Sequence, residues 1–142
     1  MRETHKTAIK RTKASAPAQV LHYANRLTGN MLDYGCGHGY DAAEFDMDAY
    51  DKYYYPSVCY DDTYDTILCT YVLNVVSKKE QQFILDDIKR LLTPWGTAYI
   101  TVRNDLECNS CTQRNVKLRL PQLVHNKKWF RIYILRRGEK YG

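Results

Sequence analysis

Residues 31–51 read MLDYGCGHGYDAAEFDMDAYD. An apolar run with one acid, Met31 to Tyr34, stops abruptly at Gly35-Cys36-Gly37-His38-Gly39. The order predicts a strand, a glycine loop, a short helix over about Tyr40–Phe45 and a second short strand over about Asp48–Tyr50. Glycines at alternate positions let a backbone turn without a Cβ clash and approach a ligand closely. A helix that starts directly after such a loop points its first N–H groups at that ligand. An acid closing the next strand, here Asp51, is placed to accept the hydroxyls of a ribose.

The spacing separates two cofactor classes. A dinucleotide fingerprint requires G-x-G-x-x-G. Counted from Gly35, its third glycine falls at position 40, which is Tyr40. The pattern present is D-x-G-x-G-x-G, with Asp33 two residues before Gly35. This resembles motif I of the class I S-adenosylmethionine-dependent methyltransferases and sets a nicotinamide oxidoreductase well behind. The resemblance implies an α/β, Rossmann-like parallel sheet and S-adenosylmethionine as cofactor. By the same resemblance Asp33 helps hold the methionine end, the loop Gly35, Cys36, Gly37 and Gly39 passes beneath it, and Asp51 takes the ribose. Lys52 and Tyr53 fall where the family flanks adenine, although Tyr53–Tyr55 equally fit as cover for an edge strand.

Length and composition are consistent with one domain. The 142 residues suit a single core, and no apolar run approaches the ~18–20 residues of a membrane span. The N-terminus, MRETHKTAIKRTK, is basic with no apolar segment after it, unlike a secretory signal. Five cysteines at irregular spacing point to free thiols and a reducing cytoplasm. Charge is segregated. Residues 1–13 carry five Lys/Arg against one Glu, residues 112–142 nine against one, and the middle seven against fourteen acids. Basic ends around an acidic centre suit a polyanion such as nucleic acid as partner, or simply a solvated rim.

Taken in order, residues 1–14 form a basic arm and 15–142 the domain. Ser15-Ala16-Pro17 starts a helix, with Val20, Leu21, Ala24 and Leu27 as its stripe and Thr28-Gly29-Asn30 as its stop. Only thirteen residues separate Asp51 from Asp65. That is too few for the helix and strand that the family usually places there, so the sheet is expected to be shortened, with the second strand at its edge. Asp61 and Asp62 are then the remaining candidates for the adenine amino group. Tyr64–Cys69 reads as a buried parallel strand. Cys69-Thr70-Tyr71-Val72-Leu73-Asn74 stands at the motif IV position without the proline pair of amino-directed DNA methyltransferases. That implies the small-molecule or RNA branches. Ser77-Lys78-Lys79-Glu80 is a capping box for a helix to about Leu92, with Ile84, Ile88, Leu91 and Leu92 on one face. Thr93-Pro94-Trp95-Gly96 then turns into a strand over Thr97–Val102. Val116, Leu118 and Leu120 alternate like a strand. Leu123–His125 and Trp129–Leu135 read as the antiparallel hairpin that ends the family's sheet. The whole chain, with its KTAIKRTK arm, is also similar to methyltransferases of mobile and DNA-modification-associated gene clusters.

Methyl transfer from a sulfonium needs alignment more than covalent help. The candidates on the acceptor side are Tyr71 and Asn74, just past the strand at Tyr64–Cys69, and His38 as a base. Cys36 reads as a packing residue, and Cys69 lines the cofactor side. Cys108-x-x-Cys111 is one pair where structural zinc wants four ligands; Cys59, Cys69 and His125 lack paired spacing, so no metal is expected. The acceptor is left open. The alternatives are a non-catalytic cofactor-binding module, with a protein partner or second copy completing the shortened cleft, and a nucleic-acid-binding protein using the basic ends.

Overall fold

The computed structural model describes residues 12–56, 63–105, 113–124 and 128–140. Expectations placed on the arm before Thr12 and on Cys59, Asp61, Asp62, Cys108, Cys111 and His125 lie outside these residues.

Six strands form one sheet. β1 (Met31–Tyr34) pairs in parallel with β2 (Asp48–Tyr50) on one side and β3 (Tyr64–Thr70) on the other. Next to β3 runs β4 (Leu92–Arg103), also parallel. Then come β6 (Phe130–Arg136), antiparallel to β4, and β5 (Gln122–Val124), antiparallel to β6. The order β2-β1-β3-β4-β6-β5 puts β2 at an edge, with the C-terminal hairpin at the far edge. The edge position of β2 was expected from the short 52–64 interval, and the hairpin from the family resemblance. No strand follows β2 before β3 among the described residues; Asp51 instead bridges back to Tyr55 in a tight turn.

Side chains alternate across a strand, so each central strand feeds two cores. Leu32, Ile67 and Ile100 pack with Ile84, Leu85, Ile88 and Leu91 of α3 (Lys78–Leu91). Leu68, Tyr99 and Ile132 pack on the opposite side with Ala18 and Leu21 of α1 (Ala16–Tyr23) and Ala42 of α2 (Tyr40–Glu44). Burial on both faces explains the near-continuous apolar reading of β3 and β4.

Three elements depart from the sequence reading. Helix α1 starts as expected, with the Ser15 hydroxyl accepting from the Ala18 N–H, but it ends at Tyr23, before the expected stop at Thr28-Gly29-Asn30. Asn25 takes φ +58°, Arg26 N–H donates to Leu21 O and Asn25 N–H to His22 O. This is a Schellman stop with asparagine in the left-handed position usually held by glycine. Second, α3 passes straight into β4, and Thr93–Gly96 belongs to the strand. Tyr64 lies opposite Leu92 and Thr66 opposite Thr97, so the extra residues bulge outward and leave Trp95 90% exposed. Gly96 is required there, because a Cβ would stand 2.8 Å from Tyr64 O. Third, Val116–Leu120 is not a strand. The alternation is real, with Val116 and Leu120 buried and Leu118 half-buried, but it comes from extended chain draped over the α3-side core. No helix among the described residues is long and apolar enough to cross a membrane.

Ile88 is fully buried between α3 and the sheet. Ile88→Ala is expected to cost about 2–5 kcal/mol of unfolding free energy, and Trp95→Ala less than about 0.5 kcal/mol, both read from urea unfolding.

Candidate functional site

The site is built where β1 and β2 end. Gly35 and Cys36 N–H both donate to Tyr50 O (2.7 and 3.0 Å), and Gly39 N–H closes onto Cys36 O at 3.0 Å. Gly35, Gly37 and Gly39 take φ of +80°, +58° and +83°, which L side chains rarely adopt. Two of them are fixed by the protein's own packing. A Cβ on Gly35 would stand 2.4 Å from Cγ2 of Val72, and one on Gly39 would stand 3.0 Å from the Tyr55 ring. The sequence reading gave these glycines to ligand approach. The structure uses their bareness first to seat Val72 and Tyr55.

Asp51 holds this region together. Its Oδ2 accepts the Gly37 N–H at 2.9 Å, and its Oδ1 accepts the N–H groups of Tyr53 (2.9 Å) and Tyr54 (3.2 Å). Its backbone exchanges two hydrogen bonds with Tyr55. Tyr55 OH donates to His38 O at 3.3 Å, and the His38 ring packs on Tyr54 with centroids 4.5 Å apart. The 52–55 turn is thus latched to the glycine loop, with Lys52 and Tyr53 exposed on its outside. A carboxylate offers about four lone-pair directions, so Oδ2 retains capacity for an incoming hydroxyl.

Asp33, on β1, is buried with 4% exposure. Burial, and then the Asp33 and Asp51 carboxylates, push the Cys36 thiol up to about 12. Cys69 is fully buried in the α3-side core, where burial and then Asp33 raise its thiol further. Both are neutral thiols. No group of three or more His, Cys, Asp or Glu side chains that would hold a metal ion occurs among the described residues.

Just past β3, Tyr71 takes φ +60° and donates its N–H to Thr101 O at 3.0 Å. For a bulky residue that conformation is a true outlier, of the kind that gathers at functional sites. The hydroxyls of Thr70 and Thr101, paired across β3 and β4, are buried without a hydrogen-bond partner. Asn74 lies in the 3₁₀ turn Leu73–Val75 with no exposure. Its Oδ1 accepts the Arg103 N–H (3.0 Å), its Nδ2 donates to Arg114 O (2.6 Å), and its own O accepts the Arg114 N–H (2.6 Å). Arg103 forks onto Asp105 at 2.8 and 2.6 Å. This pair raises the arginine above its ordinary value and holds Asp105 below the usual carboxylate range.

Sequence reasoning missed Asp41. It is buried in α2 and accepts both the Ser15 N–H (2.8 Å) and the Ser15 hydroxyl (2.6 Å), while Tyr40 OH donates to Thr12 O at 3.1 Å. The start of α1 is therefore fastened onto the helix after the glycine loop. A contact 26 residues apart leaves no local signal. Arg131 was also passed over. It is buried beside Arg103, donating to Tyr133 OH at 2.9 Å and to Asn104 Oδ1 and Val116 O.

A mostly parallel sheet with helices on both faces, a glycine loop after the first strand and acids on β1 and after β2 defines a Rossmann-like nucleotide-binding class. The antiparallel β6 between β4 and β5 narrows it. The family described as "Methyltransferase domain" matches residues 8–137. The chain belongs to this family, the class I S-adenosylmethionine-dependent methyltransferases. No curated protein sequence matches it significantly. Among solved structures, it is similar to 1,6-didemethyltoxoflavin-N1-methyltransferase of Burkholderia thailandensis, crystallised with 1,6-didemethyltoxoflavin and S-adenosylhomocysteine. That match has TM-score 0.58 and 17% identity, over 84% of this chain and 76% of that one. It is likewise similar to the N-methyltransferase NodS of Bradyrhizobium japonicum WM9, crystallised with S-adenosylhomocysteine. There the TM-score is 0.57 with 12% identity, over 87% of this chain and 85% of that one. At these identities the likeness concerns the fold.

Gly35→Ala is expected to destabilise the protein by about 1–3 kcal/mol through strain and the Val72 clash. Adding Val72→Ala should recover part of this loss, and a double-mutant cycle in urea reads the coupling. Alkylation of Cys36 by iodoacetamide, followed on its own peptide by mass spectrometry, should keep rising about tenfold per pH unit through pH 10. An ordinary thiol would level off above about 8.5.

Proposed function

We propose that this chain transfers the methyl group of S-adenosylmethionine to an acceptor seated beside Tyr71. The observation that carries the reading is the pair of carboxylates, Asp33 and Asp51, flanking a positive-φ glycine loop where two adjacent parallel strands end. The residues present fit the cofactor. Asp33, a buried carboxylate, suits an ammonium group, and the lone-pair capacity left on Asp51 suits a ribose hydroxyl. The exposed faces of Lys52 and Tyr53 lie next to that ribose position. The unpartnered hydroxyl of Thr70, at the end of β3, is a polar group that a ligand in the crevice would satisfy.

When bound, the cofactor supplies a methyl carbon on a positive sulfur; the acceptor's lone pair forms the new bond as the carbon–sulfur electrons return to sulfur. The chain's own contribution is positioning and exclusion of water. Tyr71, in its left-handed conformation, sets the wall of the transfer side, and Val72 locks that wall into Gly35. Asn74 is a positioning residue, since its amide is spent on the Arg103 and Arg114 backbones. His38 is turned onto Tyr54, so no base is assigned to it. A neutral thiol at Cys36 is a packing group.

A second reading, docking of nucleic acid through the basic arm, is favoured by one contact. Tyr40 OH fastens Thr12 to the first residue of α2, so the arm ends beside the cofactor helix.

Thermal shift with S-adenosylmethionine, S-adenosylhomocysteine and NAD tests the main reading. Ligand at ~100 times its dissociation constant adds about 2.7 kcal/mol, a rise on the order of 10 °C for a domain of this size. The first two ligands should give it and NAD should not. Asp33→Asn, which keeps shape and removes charge, should weaken binding about tenfold or more. No rise with either sulfur ligand at saturation would sink the reading.

A further inference from the structure

The end of β4 gathers arginines with little to neutralise them. Arg103 and Arg114 spring from backbones held by one buried amide, that of Asn74, on Oδ1 and Nδ2 respectively. Arg131, 9% exposed, lies across the same place and donates to Arg103 O, Asn104 Oδ1 and Val116 O. Every hydrogen-bond acceptor that the structure gives Arg131 is a neutral oxygen. No carboxylate pairs with it among the described residues. Arg114 leaves its Nε buried and without a partner. Among the described residues the counter-charge at this place is Asp105, which forks onto Arg103.

An unpaired guanidinium taken out of water is costly. The backbones of Arg103 and Arg114 meet on Asn74, and Arg131 reaches Arg103 O and Val116 O, so among the described residues three arginines and one carboxylate come to this end of the sheet and leave it positive. The position is telling. Arg103 closes β4 next to Thr101, whose carbonyl takes the Tyr71 N–H. The positive group therefore borders the proposed transfer side, while the cofactor side carries Asp33, Asp41 and Asp51. A guanidinium presents its N–H groups as a planar fork matched to carboxylate and phosphate. Arg103 already shows that geometry with Asp105, at 2.8 and 2.6 Å, in a pair still partly open to solvent.

We propose that the methyl acceptor carries an oxyanion, a carboxylate or a phosphate, which Arg103 and Arg114 bind. Arg131 acts as a positioning residue, holding the Arg114–Val116 segment while adding its charge. The bound oxyanion takes the Arg103 fork from Asp105. The inference rests on the methyltransferase reading for the word acceptor, but the anion site can be measured without any turnover.

Titration calorimetry with inorganic phosphate and with acetate, on the whole chain with and without saturating S-adenosylhomocysteine, tests it. Saturable binding of one of the two is expected, and which one binds names the anion. Arg103→Gln and Arg114→Gln should each weaken it about tenfold; Arg103→Lys and Arg114→Lys should lose less, and Lys79→Gln, on the exposed side of α3, nothing. Asp105→Asn should tighten it, because the fork is released. Equal affinities across wild type, Arg103→Gln and Arg114→Gln, or no saturable binding of either anion, would overturn the proposal. Failure of S-adenosylhomocysteine to bind while the anion still binds would strike the methyltransferase reading and leave this site standing.

Discussion

Asp51 is the residue on which the glycine loop and the turn after β2 depend. One carboxylate takes three backbone N–H groups, from Gly37 on one side and from Tyr53 and Tyr54 on the other. A carboxylate that accepts several amides is held in place by them. The shape of the loop and of the turn follows from satisfying that one group. With the turn drawn in, Tyr55 reaches Gly39 and His38, and the ends of β1 and β2 become one rigid rim. Among the described residues no strand follows β2 before β3, and the Asp51 latch fixes the turn that lies beyond that edge.

The parts legible in the sequence were those whose signal is local. The run from Met31 to Tyr34, the loop, and the capping box at Ser77 each carry their physics within a few residues, and β1, α2 and α3 formed where they were expected. The shortened sheet was legible by arithmetic, since thirteen residues after Asp51 cannot hold a helix and a strand. Much of what escaped depends on partners far along the chain. Asp41 was invisible because its partner, Ser15, precedes it by 26 residues. Asn25 ended α1 early because a left-handed asparagine outweighed the apolar stripe that continues to Leu27. Val116–Leu120 imitated a strand because draping over a core gives the same period of burial as pairing in a sheet. The glycines of the loop were placed correctly but explained incompletely, since Val72 and Tyr55 claim the space at Gly35 and Gly39.

The charge pattern along the chain acquires a spatial meaning. The acidic middle contributes Asp33, Asp41 and Asp51 to the ends of β1 and β2 and to α2. Arg114 and Arg131, from the basic C-terminal region, come to the end of β4. Among the described residues, two parts of the same sheet edge thus carry opposite sign. Such a field orients and attracts charged ligands before contact, and it costs the fold little, because the two sets sit on different strands.

Asn74 has a consequence for how the molecule opens. A single amide fastens the turn after β3, the last residue of β4 and the segment at Arg114, and Arg131 ties that segment to β6. Arg103 and Arg131 are also held in the β4–β6 ladder, whereas the segment at Arg114 belongs to no strand. A fluctuation that frees Asn74 therefore removes two of that segment's hydrogen bonds at once. The turn after β3 and the segment at Arg114 therefore open together in local unfolding. Their amides would exchange with solvent together, at a free energy set by Asn74 rather than by each loop's own exposure.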